Sequence, residues 1–177
     1  MGSLKGFNYL QNASDLLKKL EYDYERLINS QENTYAAFDF FITAYHLLDW
    51  QYPDTNDRDN KQKRSDIEKG CLLLQICSHI ANGVKHFETT RAKHQSVSDV
   101  ESQGEVFKGK VFEYGVFDNG ELIIKLEGKA SNEFGPEIRC SELAEKVLKY
   151  WKEQLNISGQ DSPPLNPETP LSQEITL

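Results

Sequence analysis

Residues 32–51, ENTYAAFDFFITAYHLLDWQ, are apolar around almost the whole circumference of a helix. A helix of that kind cannot lie on a surface with one face in water, so it belongs in the middle of a bundle. The rest of the chain has to supply its neighbours. Residues 14–30, SDLLKKLEYDYERLINS, supply the first: Leu16, Leu17, Leu20, Tyr24, Leu27 and Ile28 recur at helical spacing behind a Ser-Asp start. Residues 52–64, YPDTNDRDNKQKR, are polar, contain a proline and show no periodicity, which predicts a loop. Ser65 and Glu68 then form an S-x-x-E capping box, so a third helix is expected from residue 65 to about residue 90.

That third helix contains Asn82-Gly83, a strong turn signal. Projected at about 100° per residue, Leu73, Ile76, Cys77, Ile80, Val84 and Phe87 form one apolar stripe that crosses the pair without a phase slip. This favours a continuous helix; a turn that ends the helix at Asn82 is the alternative. A glycine inside a helix costs about 1 kcal/mol against alanine, and a tight crossing with another element is the expected compensation at Gly83. Gln75, His79, Asn82 and His86 share a second, polar stripe.

Past residue 94 the character changes. HQSVSDVESQGE reads as a polar connection, and VFKGKVFEYGVF, Asp118-Asn119-Gly120 and ELIIKLEG read as a hairpin at about 105–127. A lone hairpin is marginal in water, so it is expected to lean on the helices. Ser141 starts a last helix at about 141–155, with Leu143, Val147, Tyr150, Trp151 and Leu155 on one side. The expected fold is mainly α: an antiparallel helical bundle with an added β-hairpin and a C-terminal helix, in a single domain over 1–156. Residues 157–177 are rich in proline and polar side chains, with too little apolar surface for a core, and are expected to be a disordered tail. Its PPLNPETP run is either a solvated spacer or an extended peptide ligand.

The net charge of −8 argues against a strongly basic nucleic-acid coat, yet the charge is uneven. Residues 13–60 hold ten acids against four bases, and residues 61–94 hold seven bases against three acids. Either the two segments pair with each other, or the second offers a phosphate-attracting face. No run approaches a membrane span and the start lacks the layout of a signal peptide, so a cytoplasmic protein without a membrane partner is expected. Cys71, Cys77 and Cys140 have no metal-ligand spacing and read as buried thiols. No Walker loop, dinucleotide fingerprint, nucleophile elbow or zinc signature is present, and neither a cofactor nor a metal is expected.

On the second helix Tyr35, Phe38 and Tyr45 share the face of Ile42, and Asp49 projects along it. An aspartate there is costly to bury unpaired. His46 is three residues away and is its nearest candidate partner; His79 or His86, reached across the bundle, are the others. Two readings follow. His46, Asp49, His79, Asn82 and His86 form a satisfied polar network that sets helix register, or a carboxylate orients a histidine for acid–base work.

Two helices of which the second ends in Asn-x-x-x-His, here Asn82 and His86, resemble the HEPN group of helical domains. Many active members are metal-independent ribonucleases with an Arg-Asn-x-x-x-His motif. The resemblance implies that His86 handles a ribose 2′-hydroxyl proton and that Asn82 assists positioning. Ala81 stands where the arginine belongs. Lys85 is the candidate replacement cation, with Arg91 and Lys93 of a partner chain in a homodimer as further candidates. The HLLDW and HIANGVKHF segments (46–50 and 79–87) also resemble a bacterial family with H-x-x-D-W and A-N-G-x-K-H motifs, a likeness that extends to the hairpin and last helix and implies no particular activity. The expectation is a HEPN-like binding or regulatory module in a stress- or phage-related setting, without full nuclease activity, whose partners are RNA, another protein or a second copy. The alternatives are an endoribonuclease using His86 and Asn82, and a purely structural interaction domain.

Overall fold

The computed structural model describes residues 6–53, 57–86, 96–103 and 120–155. Among them the fold is mainly helical with a small antiparallel sheet, as the pattern of the sequence predicts. Helix α1 (Ala13–Asn29) opens at Asn12, whose side chain accepts the Asp15 N–H at 3.0 Å. Helix α2 (Thr34–Gln51) opens in the same way at Asn33, which accepts the Ala36 N–H at 3.0 Å. Both caps satisfy backbone donors that have no partner within the helix. Leu17, Leu20 and Leu27 of α1 and Phe40, Phe41, Ala44 and Leu47 of α2 are sealed from solvent.

The stretch 58–64, expected as loop, is helical. Helix α3 (Arg58–Gly70) begins at Asp57, whose side chain accepts the Asp59 N–H at 2.9 Å. Ser65 therefore sits inside a helix rather than at its start. Apolar periodicity missed α3 because no residue of it is buried. It is built from good helix formers (Lys, Gln, Arg, Glu) behind an acidic cap, which need no core to be helical next to a folded body. The expected single third helix is in fact two. Cys71 leaves the helical region at φ −118° and ψ 108°, and α4 (Leu72–His86) follows at once.

Helix α4 runs through Asn82-Gly83 without interruption. Among the described residues the tight crossing expected at Gly83 is absent, however: a Cβ added there meets none of them within 4 Å. With no crowding to justify the glycine, Gly83→Ala is expected to stabilise the protein by about 1 kcal/mol through helix propensity alone. A thermal midpoint that stays put or falls in G83A shows that the site does not accept a Cβ.

Residues 97–103, expected as a connection, form a strand, β1 (Val97–Gln103). It pairs antiparallel with β2 (Glu121–Leu126), from Val97↔Leu126 to Gln103↔Glu121, with a register irregularity between Val97 and Asp99. Among the described residues β1 is an edge strand, where charge is tolerated and deters pairing with other chains, which fits its polar sequence. The first strand and the Asp118-Asn119 turn of the expected hairpin lie outside the described residues, as does the expected tail. Helix α5 (Gly128–Phe134) leads through Gly135, at φ +89°, into the short β3 (Glu137–Arg139), which pairs with the other side of β2. Helix α6 (Cys140–Gln154) buries Leu143, Ala144, Val147, Leu148 and Trp151 and packs on α1, α2 and α4 as well as on β2 and β3, so it joins bundle to sheet. No helix among the described residues is long and apolar enough to cross a membrane.

Candidate functional site

The polar stripes of α2 and α4 enter different surroundings. On α2, His46 Nδ1 lies 3.3 Å from an Asp49 carboxylate oxygen, which makes the expected local pair. The other oxygen of Asp49 accepts from the Arg64 guanidinium at 2.5 Å. The hydrogen bond with His46 first, and Arg64 after it, hold the Asp49 carboxyl below its usual range, against partial burial that acts the other way. Asp49 is not buried as its position on the apolar stripe suggested; about half of its side chain is exposed. Helix α2 is therefore not wrapped on all sides as its apolar circumference predicted: its outward half, with Tyr35, Phe38 and His46, faces solvent, and Phe40, Phe41, Ala44 and Leu47 face the core. Arg64–Asp49 also joins the acidic segment of the chain to the basic one.

His79 on α4 is buried and serves the sheet. Its Nδ1 accepts the backbone N–H of Ser96 at 3.1 Å and that of Val97 at 2.9 Å. A nitrogen that receives two N–H groups presents its lone pair, which puts the ring proton on Nε2. The imidazole thus clamps the start of β1 to α4. Among the described residues the α2 pair and His79 belong to separate networks: of the alternatives for Asp49, the local pair with His46 forms, and His79 meets the β1 backbone instead. Among the described residues no group of three or more His, Cys, Asp or Glu is placed to hold a metal ion.

Asn82 donates to the Ser78 carbonyl at 2.7 Å, and its amide nitrogen also lies 3.4 Å from Ser78 Oγ. Ser78 is buried and donates in turn to Glu68 Oε1 of α3 at 2.8 Å. Tyr45 of α2 lies beside the same serine; burial pushes its hydroxyl above the ordinary phenol range, with Ser78 opposing the shift and the Glu68 charge adding to it. Asn82, Ser78, Tyr45 and Glu68 therefore form a polar knot where α2, α3 and α4 meet. The backbone of Lys85 and His86 belongs to α4, but their side chains lie outside what is described, as do Arg91 and Lys93 altogether.

Residue patterning did not single out Tyr45, Arg64, Glu68 or Ser78 as site residues. Tyr45 was absorbed in the apolar face of α2, and Arg64 was assigned to a loop. Glu68 did carry a signal, since a glutamate three residues after a serine was read as a capping partner; its true serine partner is ten residues downstream.

A second buried cluster was also not foreseen. Asp23 of α1 is 1% exposed. One of its oxygens accepts from Lys19 and, at 2.9 Å, from the buried hydroxyl of Thr43 on α2, and Lys19 also donates to that hydroxyl at 2.9 Å. Arg26 lies 3.6 Å from the other oxygen and bonds Asp39 at 2.9 Å, which ties α1 to α2 a second time.

Comparison of the chain with protein-family models, with curated proteins and with solved structures gives no match.

Proposed function

We propose that the chain is a HEPN-like module that binds or regulates, rather than a ribonuclease. The observation that carries this reading is the bond from Ser78 to Glu68, one residue contact away from Asn82. A ribonuclease of the Asn-x-x-x-His kind needs a cation beside the asparagine to steady the phosphate as charge develops on it. Here the neighbouring charge is a carboxylate, which repels a phosphodiester, and Ala81 stands where the family carries its arginine. Asn82 itself is committed to Ser78. Arg64 of α3 is held by Asp49.

Incubation of the full chain with mixed RNA, beside His86→Ala, tests the reading. No cleavage above the protein-free control is expected from either. Cleavage that disappears in H86A restores the endoribonuclease reading, in which His86 and Asn82 act with Lys85 or with Arg91 and Lys93 of a second chain. One observation favours chemistry of another kind: the exposed His46, held at Nδ1 by Asp49, keeps its other ring nitrogen directed away from that pair, as an acid–base group would. Activity of any kind that H46A removes and H86A leaves intact supports that second reading.

A further inference from the structure

The outward face of α2 carries aromatic side chains that the fold leaves uncovered. Tyr35 is 80% exposed and Phe38 is 38% exposed, and Ile42 continues the same helical face. The patch extends to α1, where Tyr22 is 55% exposed and lies under the Arg26 guanidinium, 5.8 Å from ring centre to carbon. Arg26 then bonds Asp39, so an ion pair links the Tyr22 ring to α2. At about 200 Å² for a fully exposed aromatic side chain, the three rings present roughly 350 Å², in the size range where a surface patch on a monomer is commonly functional. That is close to half of the roughly 800 Å² that each partner contributes to a stable protein–protein interface.

We infer that this face is covered by a second copy of the chain, with the aromatic end of α2 set against α3 of the partner. Charge points to that occupant. The exposed Glu25 and Glu32 flank the aromatic end, and Asp39 lies within it beside Arg26. Helix α3 has no buried residue and carries Arg58, Lys61, Lys63 and Lys69, besides Arg64 bound to Asp49, against Asp59, Asp66 and Glu68. The Arg64–Asp49 bond fixes α3 beside the other end of the same α2 face, about 16 Å from Phe38 along the helix. A twofold axis across the middle of α2 therefore lays the acidic, aromatic end of each copy on the basic helix of the other, a self-complementary contact. A nucleic-acid strand stacking on the same rings meets the carboxylates instead, which disfavour phosphate. The inference goes beyond the HEPN-like reading and does not rest on it.

Native mass spectrometry and light scattering on the full chain, at about 1 to 100 µM, test it. A dimer is expected that weakens as salt rises. Tyr35→Ser with Phe38→Ser is expected to raise its dissociation constant about tenfold or more. Lys63→Glu, on a helix with nothing buried, is expected to weaken the same dimer without unfolding the protein. Lys146→Ala, which alters an exposed side chain on α6, is expected to leave it intact. A wild-type protein that stays monomeric throughout overturns the inference, as does a dimer indifferent to both Y35S/F38S and K63E. Single-stranded RNA binding by a monomer, lost in Y35S/F38S, assigns the stripe to nucleic acid and overturns it equally.

Discussion

Lys19→Met is expected to lower the unfolding free energy by about 3 kcal/mol, although the lysine is more than a third exposed. An ordinary surface lysine changes stability by about 0.5 kcal/mol at most. The difference lies in what the lysine serves. Asp23 is buried, and its charge is met by Lys19, by the Thr43 hydroxyl and, at longer range, by Arg26. Removing the ammonium leaves a carboxylate inside the α1–α2 seam with one close donor. The cost comes from the stranded partner rather than from the lost pair, so Asp23→Asn in the same chain is expected to restore at least half of the loss. Chemical denaturation of wild type, K19M, D23N and the double variant measures this. Additive losses in the cycle would show that the two groups are not coupled.

His79→Ala is expected to cost a similar amount, about 3 kcal/mol, and to act on the sheet. It strands the buried N–H groups of Ser96 and Val97 and leaves a cavity beneath them. The replacement that separates these effects is asparagine. Its side-chain oxygen takes the place of Nδ1, so H79N should retain part of the clamp, whereas glutamine places its terminal group where Nε2 was. Hydrogen exchange along β1 reads the clamp directly: strong acceleration in H79A and H79Q, and less in H79N. Equal acceleration in all three rules out the acceptor role of Nδ1. The same measurement separates this histidine from His46, whose exposed pairing with Asp49 contributes little to stability.

His79, the first histidine on the polar stripe of α4, thus has a structural duty that its position alone did not reveal. Periodicity placed His79 and Asn82 on one side of α4, and that is where they are. It is silent on what lies opposite. His79 meets the β1 backbone, which arrives from 17 residues downstream, and Asn82 turns back on its own helix. Gly83 shows the converse: helix continuity followed from the unbroken apolar phase, but the crowding expected around the glycine depended on a neighbour that no described residue supplies.

Local pattern alone determined the helices α1, α2 and α6, the body of α4 and the strand β2, because each carries a run of apolar side chains written in consecutive residues, on one stripe in α1, α4 and α6, on nearly all sides in α2 and on both faces in β2. It also determined the His46–Asp49 pair, whose partners are three residues apart on one helix. Tertiary structure decided the rest. Helix α3 and the edge strand β1 bury too little for a period to show, and they exist because a folded body offers them contacts and hydrogen bonds. Asp23 with Thr43, Glu68 with Ser78 and Arg64 with Asp49 join residues 10 to 20 positions apart. Which carboxylate meets which donor depends on how the helices cross, and crossing is set by the shape of the packed core, a property of all the helices together.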